Sequence, residues 1–266
     1  MDFKALRSTT LQAAKCSLLF DMKKILSLTR RAIEEYNMIS DGDHIAVGLS
    51  GGKDSIVLLK ALSLYQKFAP MKFQLSAIHV DLGFKNVSEN RFDDLQKFCK
   101  DLDVPLYIVK TDLYHIIFED RKENRPCSLC SKMRRGALNS KAVEIKANKV
   151  ALGHNKEDLI ETFLLSLIYE GRLAVFKPTS YLDRTKITVI RPLLFNAEGD
   201  IKAAAKRLSM PILENPCPMD KHSQREYMKD LTKHICKDIP FAKDRMFDAI
   251  INPQRYDLFV KKEDED

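Results

Sequence analysis

Two groups of residues in this chain have the types and spacing to do chemistry. The first is Ser50-Gly51-Gly52-Lys53-Asp54-Ser55, which concentrates hydroxyls, glycines and a lysine in one short turn. Glycines let backbone N–H groups approach an anion, and a helix start just beyond adds unpaired donors and the positive end of its dipole. A phosphate-containing ligand is the natural guest, with Ser50, Lys53 and Ser55 as its side-chain partners. The pattern G-x-x-x-x-G-K-[ST] is not met, because Asp54 follows Gly52-Lys53 and Val47 stands where the first glycine belongs. The dinucleotide fingerprint G-x-G-x-x-G fails too. A bare serine-glycine turn between core elements would need neither Lys53 nor both serines.

The second group is sulfur. Of six cysteines, Cys127 and Cys130 form a C-x-x-C, which alone is half a zinc site, a redox dithiol or two inert thiols. No second C-x-x-C exists, and Cys217, fixed between Pro216 and Pro218, is the obvious third thiolate. His154 or His222 would complete a tetrahedral zinc site. Three thiolates equally describe an iron–sulfur cluster whose last iron lacks a protein ligand and can bind exogenous sulfide. Cys16, Cys99 and Cys236 read as small buried hydrophobes, the usual fate of a free cysteine. Disulfides are the weaker reading for a chain whose default compartment is the cytoplasm.

The elements that must position these groups alternate. An apolar run at Ile45–Leu49 is a buried strand, and Ile56, Leu59 and Leu62 recur at helical spacing after Ser55. Further strands are expected at Phe73–Val80, Leu106–Val109, Lys149–Gly153 and Ile187–Ile190. Helices are expected at Met22–Met38, Ser88–Leu102 (with Ser88 as N-cap), Arg125–Lys146, Lys156–Tyr169 and Ala197–Leu208. A charged, helical tail runs from Lys221 to about Asn252, residues 1–20 show no period, and Lys261–Asp266 look frayed. The pattern implies a doubly wound α/β fold with a mostly parallel, five-stranded sheet and helical N- and C-terminal extensions. The expected division is a helical extension over 1–40, a nucleotide-binding domain over 41–218 and a helical tail over 219–266. In such sheets ligands gather at the carboxyl ends of the strands, where Ser50–Ser55, His79–Asp81 and Gly153–Asp158 all fall.

Bulk properties agree. The chain has 266 residues and 45% hydrophobic content, enough for an ordinary core. Its net charge of +7 suits a polyanionic partner such as RNA. No apolar run approaches a membrane span, and the N-terminus lacks a signal-type apolar segment.

The loop Ser-Gly-Gly-x-Asp-Ser resembles that of the PP-loop ATP pyrophosphatases, which split ATP to AMP and pyrophosphate. Three further segments follow in order: Cys127-Ser128-Leu129-Cys130-Ser131-Lys132-Met133-Arg134-Arg135-Gly136, Gly153-His154-Asn155-x-x-Asp158 and Asn215-Pro216-Cys217-Pro218. Together they resemble the tRNA 2-thiocytidine synthetase family (TtcA) and, more widely, the TtcA/TtuA-type PP-loop tRNA thiolases. The likeness spans about residues 22 to 235. It implies an adenine nucleotide alpha hydrolase (PP-loop/HUP) fold, ATP and Mg²⁺ as cofactors and a [4Fe–4S] cluster on Cys127, Cys130 and Cys217. It also implies adenylation of a base carbonyl in tRNA (a cytidine of the anticodon loop for TtcA proper), then sulfur attack with release of AMP.

Under that resemblance Ser50, Gly51, Gly52, Lys53 and Ser55 hold the pyrophosphate portion, and Asp54 and Asp158 are magnesium ligands; were no ligand expected, Asp54 would read equally as a helix cap. His79 and Val80 border the adenine, His79 as a wall residue in preference to a base. Gly153 and His154 line the ribose or α-phosphate side. Arg134, one helical turn past Cys130, holds the polarised base oxygen or the α-phosphate, while Arg135 and Lys132 read equally well as a solvated face. Arg191 is structural or touches phosphate. Lys53, Asp54, Arg134 and Asp158 are thus the residues expected to carry the chemistry. The implied partners are tRNA and a sulfur donor (desulfurase-derived sulfide or persulfide), with a homodimer as an option. The terminal C-x-x-C zinc pairs of some uridine-branch thiolases are missing here, which favours the TtcA branch. A lysidine-synthetase-like enzyme with an amine nucleophile, or a nucleotide-binding tRNA-docking module without sulfur chemistry, are the competing readings.

Overall fold

A computed structural model describes residues 22–85, 87–123, 126–219 and 224–255. The regions 1–20 (with Cys16) and 261–266, and separately Arg125 and His222, lie outside the described residues. By contacts the chain divides into two compact units, Met1–Asn155 with Lys177–Asp220, and Lys156–Phe176 with Lys221–Asp266.

The first unit is built on strands β1 (His44–Gly48), β2 (Gln74–Asp81), β3 (Leu106–Lys110), β4 (Lys149–Ala151), β5 (Thr179–Leu182) and β6 (Ile187–Ile190), in the spatial order β3-β2-β1-β4-β6-β5. All pairings are parallel except β5 with β6. Among the described residues the sheet therefore has six strands, not the five expected. The extra one, Thr179–Leu182, is a short edge strand whose residues are half-exposed or exposed, so it carries no apolar run to betray it. It pairs on one side only, as the antiparallel arm of a hairpin with β6.

Chain order explains where a ligand belongs. From β1 the chain runs outward through β2 to β3, then returns to place β4 on the other flank of β1. Strand order reverses between β1 and β4, and crevices open at such a switch point beyond the carboxyl ends of the strands. The segments leaving those two strands are 49–52 and 152–155.

Helices cover the sheet because its residues alternate sides with period two. Ala46, Ile78, Val150 and Ile187 meet Leu138 and Ala142 of α4 (Pro126–Glu144) on one face. Ile45 and Val47 point to the opposite face and are also fully buried. Helix α2 (Lys53–Tyr65) has Ile56, Val57, Leu58, Leu59, Ala61 and Leu62 all buried, so it is apolar nearly all round, the mark of a helix inside the core. Each such leucine or isoleucine contributes roughly 1.5–3 kcal/mol by leaving water. The first helix, α1, covers residues 22–35. The segment expected as one helix from Ser88 is a 3₁₀ turn (Glu89–Phe92) followed by α3 (Asp93–Asp101), and Ser88 Oγ caps the turn by accepting from Asn90 N–H at 3.3 Å. Helix α6 (Glu198–Arg207) closes this unit.

The second unit comprises α5 (Lys156–Glu170), α7 (Gln224–Asp238) and α8 (Ala242–Ile251). Met228, Thr232, Ala242 and Phe247 are buried, and polar links tie the helices: Lys156 to Asp244 at 2.5 Å and Lys243 to Glu157 at 2.9 Å. The charged tail is thus two helices. Among the described residues no helix is long and apolar enough to cross a membrane.

Candidate functional site

The loop after β1 is shaped by its own small residues. Gly52 N–H donates to Ser50 Oγ (3.3 Å), the two hydroxyls Ser50 and Ser55 meet at 3.1 Å, and Ser55 Oγ donates back to Gly52 O at 2.9 Å. Since the Ser55 proton is committed to a carbonyl, Ser50 is the donor between the hydroxyls, and a closed ring of hydrogen bonds results. Gly52 is the N-cap of α2 and no side chain caps that helix, so its first-turn N–H groups face the crevice. Gly51 has φ +86°, and a Cβ there would stand 2.7 Å from the Leu213 side chain. Gly153, expected to line the ribose or α-phosphate side, is pressed against the loop itself: a Cβ would lie 2.9 Å from the Asp54 carbonyl carbon.

Charge is arranged around one lysine. Lys53 Nζ is 2.9 Å from both Asp54 Oδ2 and Glu198 Oε1. Burial works against its charge, but the two carboxylates outweigh that and the amine is pushed up to about 12. Asp54 Oδ1 accepts from Asn155 Nδ2 at 2.9 Å, and Asn155 is buried. Asp54 sits in the first turn of α2 and is not its N-cap. Nothing in the sequence marks Glu198 as a partner of Lys53, whereas Asn155 stands inside the Gly153-His154-Asn155 motif without its tie to Asp54 being readable there.

His79 is buried at the end of β2. Its Nδ1 is 2.8 Å from Leu49 O, which can only accept, so Nδ1 carries the proton. Burial holds its pKa below the ordinary value, and the neutral ring packs 4.8 Å from Phe92. Val80, Gly153 and His154 are half-buried at strand ends. Arg191 donates to Lys177 O at 2.6 Å, and burial, then the nearby Arg135 charge, lowers its pKa to about 10. Asp158 belongs to the second unit, where its Oδ1 accepts from Arg225 Nη1 at 3.2 Å.

The thiols converge. Cys127 and Cys130 sit in the first turns of α4, whose opening residue Pro126 suits a helix start. With Cys217 and Arg134 they line one cavity of about 170 Å³. Burial raises the Cys130 pKa, the Arg134 charge opposes this, and Cys217 and Cys127 push it further up. Cys217 N–H donates to Asn215 Oδ1 (3.2 Å), and a few residues earlier Leu213 N–H donates to Gly51 O at 2.9 Å. The segment bearing the third thiol is therefore fastened to the phosphate loop. Among the described residues no three His, Cys, Asp or Glu side chains are drawn together to hold a single ion. Cys99 is buried, and burial pushes its thiol up to about 11, as befits an inert core thiol; Cys236 is half-buried.

A model of the PP-loop domain matches residues 24–235. The tRNA-cytidine(32) 2-sulfurtransferase of Geotalea uraniireducens is 37% identical over 234 residues, covering 87% of this chain and 92% of that protein. The enzyme of the same name from Ectopseudomonas mendocina is 38% identical over 232 residues, covering 86% and 84%. Among solved structures, the U34-tRNA thiolase NcsA from Methanococcus maripaludis with its [4Fe-4S] cluster superposes with a TM-score of 0.74 at 26% identity, covering 92% of this chain and 84% of that one. Matched along most of its length and more than a third identical to them, the chain belongs to the PP-loop family, alongside the tRNA-cytidine(32) 2-sulfurtransferases.

Proposed function

We propose that this protein is an ATP-dependent tRNA sulfurtransferase that converts cytidine 32 of tRNA to 2-thiocytidine. One observation carries the reading: three thiols from two distant segments line a single cavity, and the strand of chain holding the third is hydrogen-bonded to the phosphate loop. An amine-transferring pyrophosphatase would have no use for that arrangement. A docking module would not need it either.

The first step is adenylation. The base carbonyl oxygen attacks the α-phosphorus of ATP, the bond to pyrophosphate breaks, and the electron pair leaves on pyrophosphate. Backbone N–H groups of Gly51, Gly52 and the start of α2, with Ser50 and Ser55, bind the phosphates, and Lys53 neutralises the leaving charge. Asp54, whose orientation Asn155 fixes, would supply an oxygen to Mg²⁺. Val80 and the neutral His79 wall the adenine, and Gly153 and His154 the ribose side. Arg134 faces the carbonyl oxygen as it becomes a phosphate ester.

The second step replaces oxygen by sulfur. Sulfide adds to the activated carbon, the C–O bond breaks, and AMP leaves with the oxygen. Soft thiolates in a cavity walled by apolar side chains fit an iron–sulfur group, so Cys127, Cys130 and Cys217 would hold a [4Fe–4S] cluster. When bound, it supplies an iron without a protein ligand at which sulfide can be carried. The donor of that sulfide is proposed to be a desulfurase product. The exposed Leu167, Ile168 and Leu173 of the second unit support self-association, which sedimentation would test.

The deciding experiment is nucleoside mass spectrometry of tRNA from a deletion strain, with iron and sulfide analysis of anaerobically purified protein. Loss of 2-thiocytidine confirms the substrate. Loss of a 2-thiouridine instead moves the enzyme to the U34 branch, and unchanged nucleosides defeat the reading.

A further inference from the structure

The cavity that holds the thiols has a second wall, made of rings. Phe84, Tyr114 and Phe118 line it together with Cys127, Cys130 and Cys217. Tyr114 and Phe118 are stacked with centroids 5.2 Å apart and planes 29° apart, and Phe84 lies 5.2 Å from Tyr114. All three are half-buried, so they are not filling a closed core.

Their backbone is unusual and well fastened. Phe118 sits in a π-helical turn, His115–Asp120, a rare geometry that is frequent at functional sites. Tyr114 N–H donates to Leu82 O at 2.8 Å, and Thr111 N–H to Asp81 O at 3.0 Å, tying this segment to the end of β2. On the outside Lys85 pairs with Glu119 at 2.7 Å, which clips the residue after Phe84 to the π-turn. Arg134 and Ser131, donors suited to carbonyl oxygen, line the same cavity.

We propose that this aromatic shelf is the seat of the target pyrimidine, which leaves the RNA stack and lies against Tyr114 and Phe118 with its carbonyl turned towards Arg134. The inference rests on the tRNA reading above. Single-stranded bases are recognised by stacking on aromatic rings, and a base that must be chemically altered has to be taken out of its stack. A metal centre needs only an apolar wall; stacked, partly exposed rings that share a cavity with an arginine are what a flat, polar-edged ligand needs.

The test uses the full-length, cluster-loaded protein under anaerobic conditions. Binding is measured to an anticodon stem-loop and to the same RNA with an abasic nucleotide at the target position. The wild type should bind the intact RNA more tightly, on the order of tenfold. Tyr114→Leu combined with Phe118→Leu should bind both equally, at the abasic level, with iron content unchanged, while Tyr114→Phe keeps the preference. Should loss of both rings unfold the chain, pyrrolocytosine at the target position replaces that arm: its emission falls on binding wild type if the base is stacked and rises if it is not. A doubly substituted protein that still prefers the intact RNA, or one that loses iron while keeping the preference, overturns the shelf and makes the rings a shield for the metal. RNA binding that ignores the base removes the shelf alone. Failure to bind any RNA removes the tRNA reading and the shelf with it.

Discussion

The phosphate loop and the thiol cavity are neighbours built on opposite plans. The loop is close-packed and local: its hydroxyls close a hydrogen-bonded ring, and neither Gly51 nor Gly153 has room for a methyl group. The cavity is assembled from remote pieces, the end of β2, a π-turn, the start of α4 and the Cys217 segment, and is lined by half-buried rings and thiols. Phosphates are alike in every ATP, so a rigid cradle costs nothing in adaptability. A cavity that must admit a nucleobase and exchange sulfur needs walls with open space between them. The two are coupled at one bond, Leu213 to Gly51.

The largest effect should come from attacking that joint. Gly51→Val places a branched side chain at φ +86° against Leu213 and should abolish both ATP splitting and iron retention, with a stability loss of roughly 2–4 kcal/mol. Gly153→Val collides with the Asp54–Ser55 backbone and should abolish ATP splitting while the purified protein keeps its iron. Equal iron loss in both would show the two regions to be one. Cys217→Ser attacks from the other side. It should lower iron content and cut thiolation by about a hundredfold or more, a loss of some 2.7 kcal/mol or more in transition-state stabilisation, yet leave ATP affinity within about twofold. Equilibrium nucleotide binding and iron analysis would read both arms.

The smallest effect concerns His79, which belongs to the rigid side. Its folded pKa lies below its ordinary value of 6.5, because burial disfavours the cation. Near and below that value the unfolded chain takes up a proton that the folded chain resists, so stability falls as pH drops through 6.5 and is fully present above it. His79→Asn retains a donor for Leu49 O and should flatten this dependence in urea unfolding between about pH 5 and 7, with little change at neutral pH.

Legibility followed distance along the chain. The β1–loop–α2 unit could be read because its strand, glycines and helix are contiguous, and Ile187–Ile190 was legible as a strand to the residue. The edge strand Thr179–Leu182 was hidden because a strand with one partner needs no apolar signature. The 3₁₀ turn at Glu89–Phe92 was hidden because helical spacing does not separate it from the α-helix that follows. Glu198 was invisible for a different reason: its partner Lys53 is far away in sequence, and an acidic residue in the first turn of a helix looks like ordinary dipole complementation.

Residue types alone settled the chemistry available to this protein: glycines and hydroxyls for phosphate, and thiols for soft metal, because those preferences are properties of the atoms. Only the tertiary structure decided that the two chemistries share a site. It did so by reversing strand order beside β1 and hydrogen-bonding Leu213 to Gly51, since contacts between distant segments are chosen by packing and backbone pairing, which no local pattern encodes.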